Sequence, residues 1–201
     1  MLKRILTSEF VRSGEDQESL PCLERRGFLR AAVLTASGMV MSAPAMASLV
    51  AKKERRLSFY NKHTGEMVKI VYWAPDTGYI GQSLAEVSYV LRDYRTDEVK
   101  AIDPELLDQM YTLQLQLKPR QPLHVISAYR SPATNAMLRR HSRRVAKDSL
   151  HMQGRAVDIR MPDRRVSDLY RAALSLKAGG VGYYPRSKFI HIDTGALRTW
   201  R

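Results

Sequence analysis

The stretch Ser149-Leu150-His151-Met152-Gln153-Gly154-Arg155-Ala156-Val157-Asp158 sets a histidine and an aspartate seven residues apart around a single glycine. A shorter stretch, Phe189-Ile190-His191-Ile192-Asp193, answers it. His151, Asp158 and His191 read as three protein ligands of a catalytic zinc, one per chain, with a fourth position left to water. Extended chain would hold His151 and Asp158 roughly 23 Å apart at about 3.3 Å per residue. Two ligands of one tetrahedral zinc lie only about 3–3.5 Å apart. The chain must therefore double back between them, and Gly154 is the residue able to take the backbone angles of that turn.

In the second stretch, strand alternation places His191 and Asp193 on one face and leaves Phe189, Ile190 and Ile192 for packing. A lone histidine in an apolar strand is commonly a buried structural residue. Two histidines and two aspartates in these short segments, from only five histidines in the chain, favour a metal instead.

The pattern Ser-x-His-x-x-Gly-x-Ala-x-Asp followed by a strand histidine resembles the zinc D-Ala-D-Ala carboxypeptidase and hedgehog-like metallopeptidase superfamily. Within it, the chain is similar to the YcbK-like murein endopeptidases through Ser127-Ala128-Tyr129-Arg130-Ser131, Gly179-Gly180-Val181-Gly182-Tyr183-Tyr184-Pro185 and His191-Ile192-Asp193-Thr194-Gly195. The likeness runs from about Leu57 to the C-terminus. It implies zinc on His151, Asp158 and His191, Arg130 in the cleft to hold substrate or polarise the scissile carbonyl, and cleavage of the peptide cross-links of peptidoglycan.

The resemblance also exposes a gap. In such relatives a proton-transfer group stands three residues before the late histidine as Glu, or two before it as His. Here those places hold Lys188 and Phe189. Asp193, Tyr184 and His141 remain as candidates, and for Asp193 the preferred role is to orient a ligand histidine through its free N–H. Ser149 either supports the site or shapes its loop. Two function classes follow: a zinc peptidase of the murein sacculus, or a non-catalytic wall-binding module that keeps the fold.

Upstream, Met1 to Ala47 reads as an export signal. Glu24-Arg25-Arg26-Gly27-Phe28-Leu29-Arg30 has the arginine pair of a twin-arginine leader, with Glu24 where Ser or Thr is usual. An apolar run from Ala31 to Ala45 and the small-residue site Ala45-Met46-Ala47 predict cleavage before Ser48. The run falls short of the roughly 20 residues of a membrane span, although an uncleaved anchor is the alternative. Cleavage removes Cys22, the only cysteine, and with it any disulfide or thiolate ligand. The expected partners are the twin-arginine export machinery and periplasmic peptidoglycan.

Residues 48–201 form one domain's worth of chain and keep 27 Lys and Arg against 15 Asp and Glu. That balance invites a nucleic-acid reading. No nucleic-acid motif accompanies it, and an anionic cell wall suits the charge as well. The basic cluster Arg139-Arg140-His141-Ser142-Arg143-Arg144 reads as a solvated loop, or else as a rim for acidic glycan-peptide strands.

Periodicity predicts a hairpin over Leu57–Trp73 turning at Gly65, and helices over Gln82–Asp93, from Pro104, over Pro132–Arg140 and over Val166–Leu176. Asp103 and Ser131 stand as N-caps with proline behind each. Gly179-Gly180 is expected to cap the last helix. Strands are expected over Leu123–Tyr129, Arg155–Met161, through Tyr183 and at His191. Few parallel crossover signals appear, so the expected fold is α+β, a small antiparallel sheet with helices packed on it.

Overall fold

The computed structural model describes residues 53–142 and 145–201, which belong to one compact unit, Met46–Arg201. The expected export segment Met1–Ala47, with Cys22 and the cut before Ser48, lies outside the described residues, as do Arg143 and Arg144. Among the described residues no helix is long and apolar enough to cross a membrane.

The α+β architecture is observed. Strands β1 (Arg55–Asn61) and β2 (Met67–Ala74) form the predicted hairpin, with Gly65 at φ 76° in its turn. Then come β3 (Gly78–Tyr79), α1 (Gly81–Val90), α2 (Pro104–Leu117), β4 (Leu123–Ser127), α3 (Pro132–His141), β5 (Ala156–Arg160), α4 (Val166–Leu176), β6 (Gly180–Tyr184), β7 (Phe189–Asp193) and β8 (Arg198–Trp200). They make one eight-stranded sheet in the order β3-β2-β1-β4-β5-β7-β6-β8. The centre, β4-β5-β7-β6, is antiparallel as expected. Two pairings, β1 with β4 and β6 with β8, are parallel and make the sheet mixed.

Both predicted caps form. The Asp103 carboxylate accepts from the Glu105 N–H at 3.0 Å, and the Ser131 hydroxyl accepts from the Thr134 N–H at 3.1 Å. Each satisfies an N–H that the first helical turn leaves without a partner. At the end of α4 the expectation is corrected. Lys177, not a glycine, takes the left-handed conformation, at φ 49°. Gly179 is required for another reason: a Cβ there would collide with the Asp193 carbonyl.

Strand alternation divides the sheet into two faces. Leu57, Phe59, Val125, Val157, Ile159, Ile190 and Ile192 point to the core, where α2 and α4 pack on each other and on the strands. Burying each such side chain contributes roughly 1.5–3 kcal/mol. The opposite face carries Asp158, His191 and Gly182 as direct cross-strand neighbours. Phe189 shares this face with His191 by the same alternation. It is therefore not a core residue, and it stacks on Tyr184 with ring centroids 4.5 Å apart.

Candidate metal centre and cleft

The reversal between His151 and Asp158 is built as the spacing demands. A 3₁₀ turn, Leu150–Gln153, ends on Gly154 at φ 70°. The turn returns the chain into β5, where Asp158 lies directly across from His191. Two residues opposed in an antiparallel pair have Cβ atoms about 4.5–5.5 Å apart, so the ladder itself brings two ligands together.

Three donor atoms then converge. His151 Nε2 lies 3.2 Å from His191 Nδ1, His191 Nδ1 lies 2.9 Å from Asp158 Oδ1, and His151 Nε2 lies 3.4 Å from Asp158 Oδ1. Only these three residues form such a group among the described residues. The spacing is that of neighbouring ligands on one tetrahedral ion.

The remaining ring nitrogens are already committed. His151 Nδ1 donates to the Ala128 carbonyl at 2.7 Å, because a carbonyl can only accept. That leaves the Nε2 lone pair aimed at the cluster. His191 Nε2 meets Asp193 Oδ2 at 3.0 Å, which aims Nδ1 at the cluster. Lone pairs this close in a buried site repel unless a proton or cation lies among them. The donor set therefore fits a divalent metal.

The electrostatics favour positive charge among the carboxylates, which a proton on His191 supplies unless a cation takes its place. Burial works to lower the His191 pKa, but the Asp158 and Asp193 carboxylates outweigh it and raise it to about 8. Burial likewise lowers His151, and there Asp158 does not compensate. Burial opposes ionisation of Asp158, yet the two imidazoles hold its carboxyl far below the usual range. Burial opposes ionisation of Asp193 too, but His191, the Gly195 and Gly180 N–H groups and Arg198 hold it below the usual range, so both carboxylates are ionised and face positive charge.

Asp193 has no exposed surface. Besides His191 it accepts from the backbone N–H groups of Gly180 at 3.0 Å and Gly195 at 2.8 Å. The Arg198 guanidinium adds bonds of 2.6 and 3.1 Å. Every lone-pair direction of the carboxylate is in use.

Arg130 enters the cleft from the loop after β4. Its own N–H is fixed to the His151 carbonyl at 3.2 Å. The guanidinium reaches Ser127 Oγ at 3.3 Å and lies 3.8 Å from Asp158 Oδ2, while its buried Nε has no partner among the described residues. Asn135 of α3 accepts from Arg130 at 3.4 Å and donates to the Ala146 and Lys147 carbonyls. It thereby ties the loop before the 3₁₀ turn to the arginine.

The cleft over these residues has a volume of about 520 Å³. Of the proton-transfer candidates read from sequence, Tyr184 lines it and His141 does not. Lys188 lies in the β6–β7 turn and lines a neighbouring cleft instead. Among the lining residues not foreseen from sequence, three carry charge or an aromatic ring: Asp148, Arg198 and Trp200. Asp148 is exposed and, apart from Asp158, is the only carboxylate in the lining. Trp200 donates from Nε1 to the Tyr184 hydroxyl at 2.8 Å and stands 5.1 Å from the His191 ring. A lone aspartate before Ser149 carries no pattern, and Trp200 reaches the site only through the parallel pairing of β8 with β6.

Residues 49–200 match the family model described as Peptidoglycan L,D-endopeptidase MepK. The chain is 45% identical over 176 residues to the Peptidoglycan L,D-endopeptidase MepK of Escherichia coli strain K12, covering 88% of this chain and 96% of that protein. It is 42% identical over 157 residues to the Probable peptidoglycan L,D-endopeptidase MepK of Haemophilus influenzae, covering 78% of this chain and 84% of that protein. The chain belongs to this peptidase family.

Proposed function

We propose that this member of the family hydrolyses peptide cross-links of peptidoglycan, of the L,D type that its relatives' names state, with a zinc held by His151, Asp158 and His191. The observation that carries this reading is the triangle of donor atoms with sides of 3.2, 2.9 and 3.4 Å at the floor of an open cleft. The chemistry such an ion supplies is activation of water near neutral pH and polarisation of an amide carbonyl.

The residues around the triangle divide the remaining work. Ala128 and Asp193 hold the two imidazoles in the tautomers that present lone pairs. Arg130 offers guanidinium donors to the scissile carbonyl oxygen as negative charge develops there. The Asp148 carboxylate, which has no partner among the described residues, takes the proton that the attacking water loses. It delivers that proton to the nitrogen as the C–N bond breaks. Tyr184 accepts from Trp200, so its own O–H is left to donate to the substrate. Asp193 orients rather than transfers protons, because its lone pairs are occupied.

Digestion of purified cross-linked muropeptides, with and without chelator, tests the reading. Monomers should appear only without chelator. Intact cross-links under both conditions would overturn it.

The leader-like Met1–Ala47 supports export by the twin-arginine route to the periplasm, where peptidoglycan lies. Replacing Arg25 and Arg26 by lysine should leave precursor in the cytoplasm. Unchanged processing of that variant would remove this part of the proposal.

A further inference from the structure

On the open face of the sheet, two residues beyond Asp158 on β5, stands Arg160. Its cross-strand partner is His124, and its NH2 group lies 3.4 Å from His124 Nδ1. The Arg160 Nε is buried and without a partner among the described residues. Arg160 and Lys188 line a second cleft, of about 460 Å³, together with Arg164, Arg165, Pro185 and Val166.

No carboxylate lines this cleft. Arg164 is engaged by Asp163 at 3.1 Å and the Leu117 carbonyl at 2.7 Å, and Arg165 by Asp168 at 3.0 Å. Arg160 and Lys188 have no carboxylate partner among the described residues. Val166 opens the eleven-residue α4, whose first N–H groups and dipole add positive potential at the same place. Lys188 itself holds a left-handed backbone at φ 56°. A glycine would avoid that cost, which is of order 1–2 kcal/mol.

The two clefts meet at one hairpin. Tyr184 and Phe189, at the ends of β6 and β7, face the metal cleft, while Pro185 and Lys188 of the intervening turn face the basic one. We propose that the basic cleft binds a free carboxylate of the same peptide whose scissile bond lies over His151, Asp158 and His191. The inference rests on the peptidase reading above and extends it to substrate recognition. Extended peptide advances about 3.3 Å per residue, so a carboxylate about two to four residues from the scissile bond reaches the turn. A guanidinium fork and an ammonium suit that group, and charge-assisted bonds are the strong ones.

The test compares two ligands: a cross-linked muropeptide dimer with free peptide carboxylates, and the same dimer with them amidated. Calorimetry on chelator-treated chain reads affinity without turnover, so this readout stands even for a chain that hydrolyses nothing. Wild type should bind the free acid about tenfold or more tighter than the amide. Lys188→Gln and Arg160→Gln should each remove most of that preference and leave amide binding unchanged. Lys188 lies in an exposed turn, so its variant carries the test if Arg160→Gln fails to fold. Equal wild-type affinity for acid and amide, or an equal loss on both ligands in Lys188→Gln, would overturn the proposal. Failure of cleavage alone would count against the peptidase reading and not against this one.

Discussion

The Nε2 of His191 lies 3.0 Å from Oδ2 of Asp193, two residues further along the same strand. Side chains two apart on a strand share a face, so His191 and the carboxylate that orients its ring come from one local repeat. Arg198 and two backbone N–H groups hold Asp193 from the other side. The ring is thereby held by this chain's own groups.

Asp193→Asn should therefore weaken zinc binding by about 10–100-fold, as loss of a carboxylate behind a ligand histidine does. Competition with a chelator of known affinity measures it. Wild-type zinc affinity combined with slowed cleavage would instead make Asp193 the proton-transfer group.

Asp148→Asn should behave in the opposite way. Zinc content should stay at the wild-type level while kcat falls by about 10²–10⁴-fold, the usual range for a lost acid-base group. Elemental analysis and muropeptide turnover on the same preparation separate the two. Undiminished kcat would send the search to Tyr184.

The convergence of His151, Asp158 and His191 was legible in sequence because the reversal has a local cause: seven residues, a single glycine, and the strand that follows it. Asp193 was legible for the same reason, through alternation. Phe189 was misassigned because an aromatic beside two isoleucines looks like core, whereas the register puts it beside His191. Lys177 took the helix-ending conformation expected of Gly179-Gly180, since those glycines are needed where Asp193 packs against them. Trp200 and Arg198 belong to a three-residue strand placed by parallel pairing across the chain. Nothing near them in sequence announces that pairing.

Gly154→Ala tests the reversal directly. A Cβ at this position would collide with the Ala101 carbonyl, in a backbone already at φ 70°. Urea unfolding should show a loss of at least about 2 kcal/mol. Gly65→Ala, at φ 76° with open space around it, should cost only about 1–2 kcal/mol. Equal losses would mean that the packing against Ala101 is not what restricts Gly154.

A pH dependence follows from Asp108. Partial burial works to raise its pKa, but Arg55 at 2.6 Å and the hydroxyls of Tyr72 and Tyr79 outweigh this and lower it. A carboxyl depressed in the folded state adds stability that is fully present above its unfolded pKa, about 3.9, and lost as pH falls through the folded value. Unfolding midpoints measured from pH 6 to pH 2 should fall less steeply in Asp108→Asn than in wild type. Parallel profiles would show that these partners do not act on the folded state's titration.

His151, Asp158 and His191 are proposed to hold one metal ion together. Elemental analysis of the purified chain and of His151→Ala, Asp158→Ala and His191→Ala addresses it most directly. About one zinc per wild-type chain and a marked loss in each variant are expected. Unchanged zinc in all three variants would contradict it.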